Sequence, residues 1–142
     1  MAYTYLIDQE RRLGAVRLAG QVTGDQVAEV SLLLFQHPDW QPGFCELWDA
    51  RGITELLVTL EEVHRVVAIE KEHLGEIGMG RVAIVVARDI EYYLGRLYTA
   101  FVRDTERPVR LFKSIDKAQH WLGLSALPPL ITGPTASERR TS

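Results

Sequence analysis

The run Arg81-Val-Ala-Ile-Val-Val-Ala87 limits what this chain can fold into more than any other stretch. It is short, continuous and rich in β-branched residues, with nothing polar between Val82 and Ala87. A strand of that kind is covered on both faces, as in a parallel sheet flanked by helices, whereas a strand with one wet face alternates apolar and polar positions. The other elements are read around it.

Four further strands and four helices follow from periodicity and punctuation. Tyr3 to Ile7 and Leu13 to Leu18 are strand-like and joined by the polar turn Asp8-Gln-Glu-Arg-Arg12, so they form an antiparallel pair that Gly20 closes. Thr23 is placed to cap a helix in which Val27, Val30, Leu33 and Leu34 recur at helical spacing, ending near Gln36 because Pro38 disfavours helix at His37. His37-Pro-Asp-Trp-Gln-Pro-Gly43 is a loop, with Trp40 either covering the core edge or stacking on a ligand. Phe44 to Trp48 is a short buried strand that ends in Asp49 and turns through Ala50, Arg51 and Gly52. Residues 59 to 74 form a helix started by Thr59 with Glu62 completing a capping box, and its inward stripe is Val63, Val66, Val67 and Leu74. Gly75 ends that helix, and the glycines up to Gly80 make a flexible connector to the strand at 81. Asp89 caps a third helix with Ile90, Leu94, Leu97, Tyr98 and Phe101 inward. Val109 to Phe112 is the last strand, and Ser114 caps a final helix that carries Ala118, Trp121 and Leu122 inward and stops at Gly123.

The order β-β-α-β-α-β-α-β-α defines an α/β fold: a mostly parallel central sheet, one antiparallel N-terminal strand pair, and flanking helices joined by right-handed crossovers. With 142 residues the chain fits one domain, which we place at 1–127. Residues 128–142 read as a flexible tail, disordered from about Gly133, because they are rich in Pro, Gly, Ser and Thr.

Charge and cysteine content narrow the function. A net charge of -3 argues against a broad nucleic-acid footprint. The single Cys45 cannot form an internal disulfide and reads as a small buried hydrophobe. The N-terminal residues lack a basic segment and a long apolar run, and no stretch approaches the ~20 apolar residues of a membrane span, so a cytoplasmic location is expected with at most peripheral membrane contact. An N-terminal hairpin that leaves an open sheet edge gives room for a homodimer.

No catalytic constellation accompanies the fold. His64 and His73 do not stack on one helical face, no Cys or His partner sits at ligand spacing, and no Ser, Cys or Thr lies in a nucleophile-elbow pattern. No metal and no cofactor are expected. In open α/β sheets ligands bind outside the carboxyl ends of the strands. That topology gathers Asp49-Ala-Arg-Gly52, the Thr59 helix start, Arg88-Asp89 and Lys113-Ser114 at one edge. Arg51, Arg88 and Lys113 there are either a basic pocket beside helix N-termini or solvated cations at loop ends.

The run Glu46-Leu-Trp-Asp-Ala-Arg-Gly52, the upstream His37-Pro-Asp-Trp40, the strand Val82-Ala-Ile-Val-Val86 and the ending Leu111-Phe-Lys-Ser-Ile-Asp-Lys-Ala-Gln-His-Trp-Leu122 resemble the SpoIIAA-like STAS/SEC14 group, over roughly Tyr3 to Leu124. The resemblance implies a STAS-type fold. In anti-sigma-factor antagonists of that group an Asp-Ser pair follows the central strand, and a partner kinase phosphorylates the serine. Here Ala50 stands in its place and has no hydroxyl, and Thr54 is at the wrong offset. The SEC14 side of the resemblance implies a small non-enzymatic domain that holds a hydrophobic or lipid-like ligand between helices and sheet, for which Leu56, Leu57, Val63, Val67, Tyr93 and Leu97 are the candidate lining residues. The alternative is a regulatory protein-interaction module without the phosphoserine, with Asp49, Arg51, Thr54 and Arg88 as its surface. A third reading, an enzyme for an anionic substrate at Arg51 and Arg88, lacks a nucleophile or base placed to serve it.

Overall fold

In the computed structural model of the chain, residues 2–132 are described, apart from the side chains of Ile90 and Thr132. Strands β1 (Tyr3–Asp8), β2 (Leu13–Thr23), β3 (Cys45–Leu57), β4 (Val82–Val85) and β5 (Val109–Phe112) form one sheet in the order β1-β2-β3-β4-β5. The first pair is antiparallel and the remaining pairs are parallel. When consecutive parallel strands are laid down in one direction, right-handed crossovers put every connecting helix on the same face. Helices α1 (Gly24–Phe35), α2 (Leu60–Glu72) and α4 (Asp89–Phe101) accordingly pack side by side on one face. The four-residue α3 (Leu74–Ile77) follows α2. Helix α5 (Ile115–Leu122) and the short α6 (Pro129–Thr132) cover the other face.

The sheet is therefore buried twice, and each strand splits its residues by parity. Val16, Leu18, Trp48, Ala50, Val82 and Val86 point to the α1–α2–α4 side. Leu13, Ala15, Leu47, Ala83, Val85 and Phe112 point to the α5–α6 side. The apolar run in β4 serves both cores at once, which is why it does not alternate.

Helix starts are set by side-chain chemistry. Thr23 and Thr59 each accept a hydrogen bond from the third helical residue, Gln26 and Glu62, whose side chains reach back to the cap backbone. The cap of α4 is Arg88 in extended backbone, and Asp89, expected to cap, is instead the first helical residue.

Three local expectations are corrected. Gly20 does not close β2. It sits at φ +72° beside a register shift, and the strand continues to Thr23. Nor does the chain turn at Ala50-Arg51-Gly52. β3 runs on to Leu57, paired with the second half of β2, and absorbs Arg51 as a bulge between the pairs Arg17–Asp49 and Ala19–Gly52. Glycine suits a bulged strand where another backbone comes close, and a Cβ at Gly52 would lie 3.1 Å from the carbonyl oxygen of Leu18. Finally, Gly75 lies inside α3, and Gly78 at φ +80° ends that helix. Gly78 and Gly80 pack directly on the backbone of residues 42–44, where a Cβ would fall 2.1 Å from Gly43 N and 2.3 Å from Phe44 O. These two glycines serve close backbone contact rather than slack. Beyond residue 127, α6 lays Ile131 and Leu130 on the second core. The disorder expected from Gly133 lies outside the described residues.

Candidate functional site

β3 passes under α2 and α4, and the parity of its residues decides what each can do. Ala50 (4% exposed) and Trp48 point toward the helices, and between them, α2 and α4 is a cavity of about 140 Å³. Its sheet wall also carries Val82, Ile84 and Val86 from β4, and its roof carries Val63 and Val66 from α2 with Leu94 and Gly95 from α4. α1 contributes Val27 and Ser31 at one side. His64 of α2 stacks on Phe101 of α4 with ring centroids 4.0 Å apart, which ties the two covering helices together.

At one side of the cavity the wall becomes polar. Trp48 Nε1 donates to Glu46 Oε1 at 2.8 Å. Arg107 (6% exposed) donates to the other oxygen of Glu46, and its Nη1 lies 3.7 Å from Glu70 Oε2. The Tyr98 hydroxyl donates to that same Glu70 oxygen. Two buried acids thus share one buried guanidinium. Burial pushes Glu70 up to about 7, with Glu46 adding to the rise, while Arg107 and Tyr98 pull it down. Burial also raises Tyr98, and the neighbouring Glu70 adds to that. Burial alone would lower Arg107, but Glu46, Tyr98 and Glu70 outweigh it and hold the guanidinium charged. Glu91, in the first turn of α4, is a separate acid on the wall: it is 4% exposed, Arg88 Nε bonds its Oε1 at 2.7 Å, and its Oε2 is buried without a partner among the described residues.

Asp49 points the other way, toward α6, and is 1% exposed. Arg51 grips it with Nε to Oδ1 at 2.8 Å and Nη2 to Oδ2 at 2.9 Å, and the Arg51 backbone N–H adds a bond to Oδ1 at 3.1 Å. Arg17, which also bonds the Leu130 carbonyl of α6, stands 4.0 Å from Asp49. Asp49 is thus a buried clamp between β2, β3 and α6, while the Arg51 and Thr54 side chains that follow are exposed.

The other candidates fall as follows. Leu56 and Val63 are on the cavity wall; Val67 lies in the adjoining core, Leu97 is half-buried, and Leu57 and Tyr93 are exposed at 44% and 60%. Arg88 donates to the Thr54 carbonyl at 3.0 Å as well as to Glu91, and Lys113 pairs with Asp89 at 2.8 Å. The three cations Arg51, Arg88 and Lys113 are each engaged by a carboxylate rather than converging on one pocket. Trp40 is buried, packs on Phe44 and donates to the Glu76 carbonyl at 3.0 Å, as a core cover does. Among the described residues no group of three His, Cys, Asp or Glu could hold a metal ion, and no helix is long and apolar enough to cross a membrane.

No protein-family model matches the chain, and no curated protein matches it. Among solved structures it is similar to an uncharacterised protein of the DUF3478 family from Shewanella loihica PV-4, described as having a SpoIIAA-like fold. The two share 19% sequence identity and superpose with a TM-score of 0.57 over 85% of this chain and 94% of that one. At that identity the likeness concerns the path of the backbone, and it agrees with the sheet and flanking helices described above. The chain is a single α/β domain with the SpoIIAA-like fold.

Proposed function

We propose that the chain is a small non-enzymatic domain that binds a hydrophobic or lipid-like ligand between the helices and the sheet. The observation that supports this reading is the apolar cavity under α2 and α4. A closely packed core of this size has few voids larger than a water molecule, and a largely apolar cavity can accept apolar guests of benzene size. At about 140 Å³ the resting cavity fits one ring or a short acyl segment, so a longer chain requires α2 or α4 to shift.

The test is native mass spectrometry of the full chain purified without detergent, followed by titration with short-chain lipids and aromatic probes. An apolar adduct, or saturable probe binding that Ala50→Leu abolishes by filling the cavity, supports the reading. Absence of any adduct together with absence of probe binding removes it.

A second reading is a regulatory protein-interaction module at the exposed Arg51 and Thr54. What favours it is the pair of exposed leucines that follow, Leu57 at 44% and Leu60 at 49%. Pull-down with Arg51→Glu as the control separates the two: equal partner recovery by both forms takes this surface out of consideration.

A further inference from the structure

The cavity wall is chemically one-sided. It carries two carboxylates, Glu70 and Glu91, and no Lys, Arg or His. Nearly every polar group on it already has a partner: Ser31 Oγ bonds the Val27 carbonyl at 2.9 Å, Trp48 Nε1 bonds Glu46, and the Tyr98 hydroxyl bonds Glu70. Glu91 Oε2 is the exception, a carboxylate oxygen removed from water and given no donor by the protein. A buried acceptor left unpaired costs about 1–3 kcal/mol, and a guest that brings a donor recovers it.

We propose that the cavity selects an amphiphile with an apolar body of ring size and a protonated primary amine, the amine bonding Glu91 Oε2 while the body lies against Ala50, Val63 and Ile84. The inference rests on the cavity being a ligand site and adds the sign of the ligand's charge. An ammonium against a carboxylate forms a charge-assisted hydrogen bond, about twice as strong as a neutral one. A carboxylate-bearing guest, such as a fatty acid, would set its own negative charge beside the carboxylate of Glu91. Arg88 sits on Glu91 Oε1 and Arg107 sits between Glu46 and Glu70, and neither lines the cavity, so neither is placed to receive an anion there.

Toluene, benzylamine and benzoate share one ring and differ in charge. Each is titrated at pH 7 into the full chain and into Glu91→Gln, and binding is followed by the NMR shifts of the cavity-lining methyl groups and the Trp48 indole. In the unmodified protein benzylamine is expected to bind about tenfold more tightly than toluene, with benzoate the weakest of the three. In Glu91→Gln the advantage of benzylamine should vanish while toluene binds as before. Toluene binding with benzylamine no tighter overturns the amine inference and leaves the cavity reading standing. Failure of all three probes overturns the cavity reading and this inference with it. Should Glu91→Gln not fold, the ranking in the unmodified protein decides, and benzoate equal to benzylamine overturns the proposal.

Discussion

At the residue scale the buried cluster of Glu46, Glu70, Tyr98 and Arg107 is the least expected part of the molecule. Burial lifts Glu70 to about 7 from an unfolded value of 4.5. An acid raised in this way holds a proton in the folded state that the unfolded chain has released, so the folded state binds more protons between those two values. Stability therefore falls as pH rises from about 4.5 to about 7, and is flat in this group on either side. Glu70→Gln keeps an acceptor for Tyr98 and removes the titration. Urea unfolding of the variant should match the unmodified protein near pH 4.5 and exceed it at pH 8 by a margin on the order of 3 kcal/mol. A pH slope unchanged by the substitution would show that Arg107 keeps Glu70 ionised throughout. The sequence carried only a faint trace of the cluster. Glu70 falls on the same helical stripe as Val63, Val66 and Val67, and Glu46 lies in an apolar strand, which are both odd places for an acid. The partners that explain them are 61 residues apart for Glu46 and Arg107 and 28 apart for Glu70 and Tyr98, and no periodicity links positions so distant.

At the scale of elements, what could be read depended on how local the cause was. Both threonine caps were readable because a capping box closes within four consecutive residues. The true length of β3 was hidden because Asp49-Ala-Arg-Gly52 has the composition of a turn, and the strand survives there only through pairing with the far half of β2. The glycines at 75–80 were hidden for a related reason: glycine can mean freedom or crowding, and the neighbour that decides comes from residues 42–44. The two meanings separate in experiment. Gly78 has φ +80° and ψ -168°, a conformation that side-chain-bearing residues avoid, and a Cβ there would meet backbone. Gly78→Ala should cost roughly 2–4 kcal/mol of stability. Gly75 has open space around its Cα and lies in helix, so Gly75→Ala should stabilise by about 0.4–1 kcal/mol. Urea midpoints of the two variants should move in opposite directions.

At the scale of the whole molecule, the order of elements and the double coverage of the sheet were legible because each follows from patterns within single segments. The cavity was not, because a void is a mismatch between surfaces contributed by several segments. The position after the central strand shows the consequence. Ala50 was significant by resemblance as a switch position without its hydroxyl, yet β-strand parity turns it into the cavity and leaves Asp49 on the opposite face, under α6. A small side chain at residue 50 is thus part of what keeps the space open. Ala50→Leu adds three carbons where there is room for them. Burying them is worth up to ~0.8 kcal/mol per carbon, and imperfect fit gives back part of that. The expected net is a gain of about 1 kcal/mol for the ligand-free protein, read as a higher urea midpoint with an unchanged slope, together with loss of toluene binding. A binding domain that gains stability when its cavity is filled, and loses its guest by the same substitution, is holding the space for the guest. If the leucine destabilises the ligand-free fold instead, the wall is too rigid to accept it, and the space would be a packing defect of the SpoIIAA-like frame rather than a site.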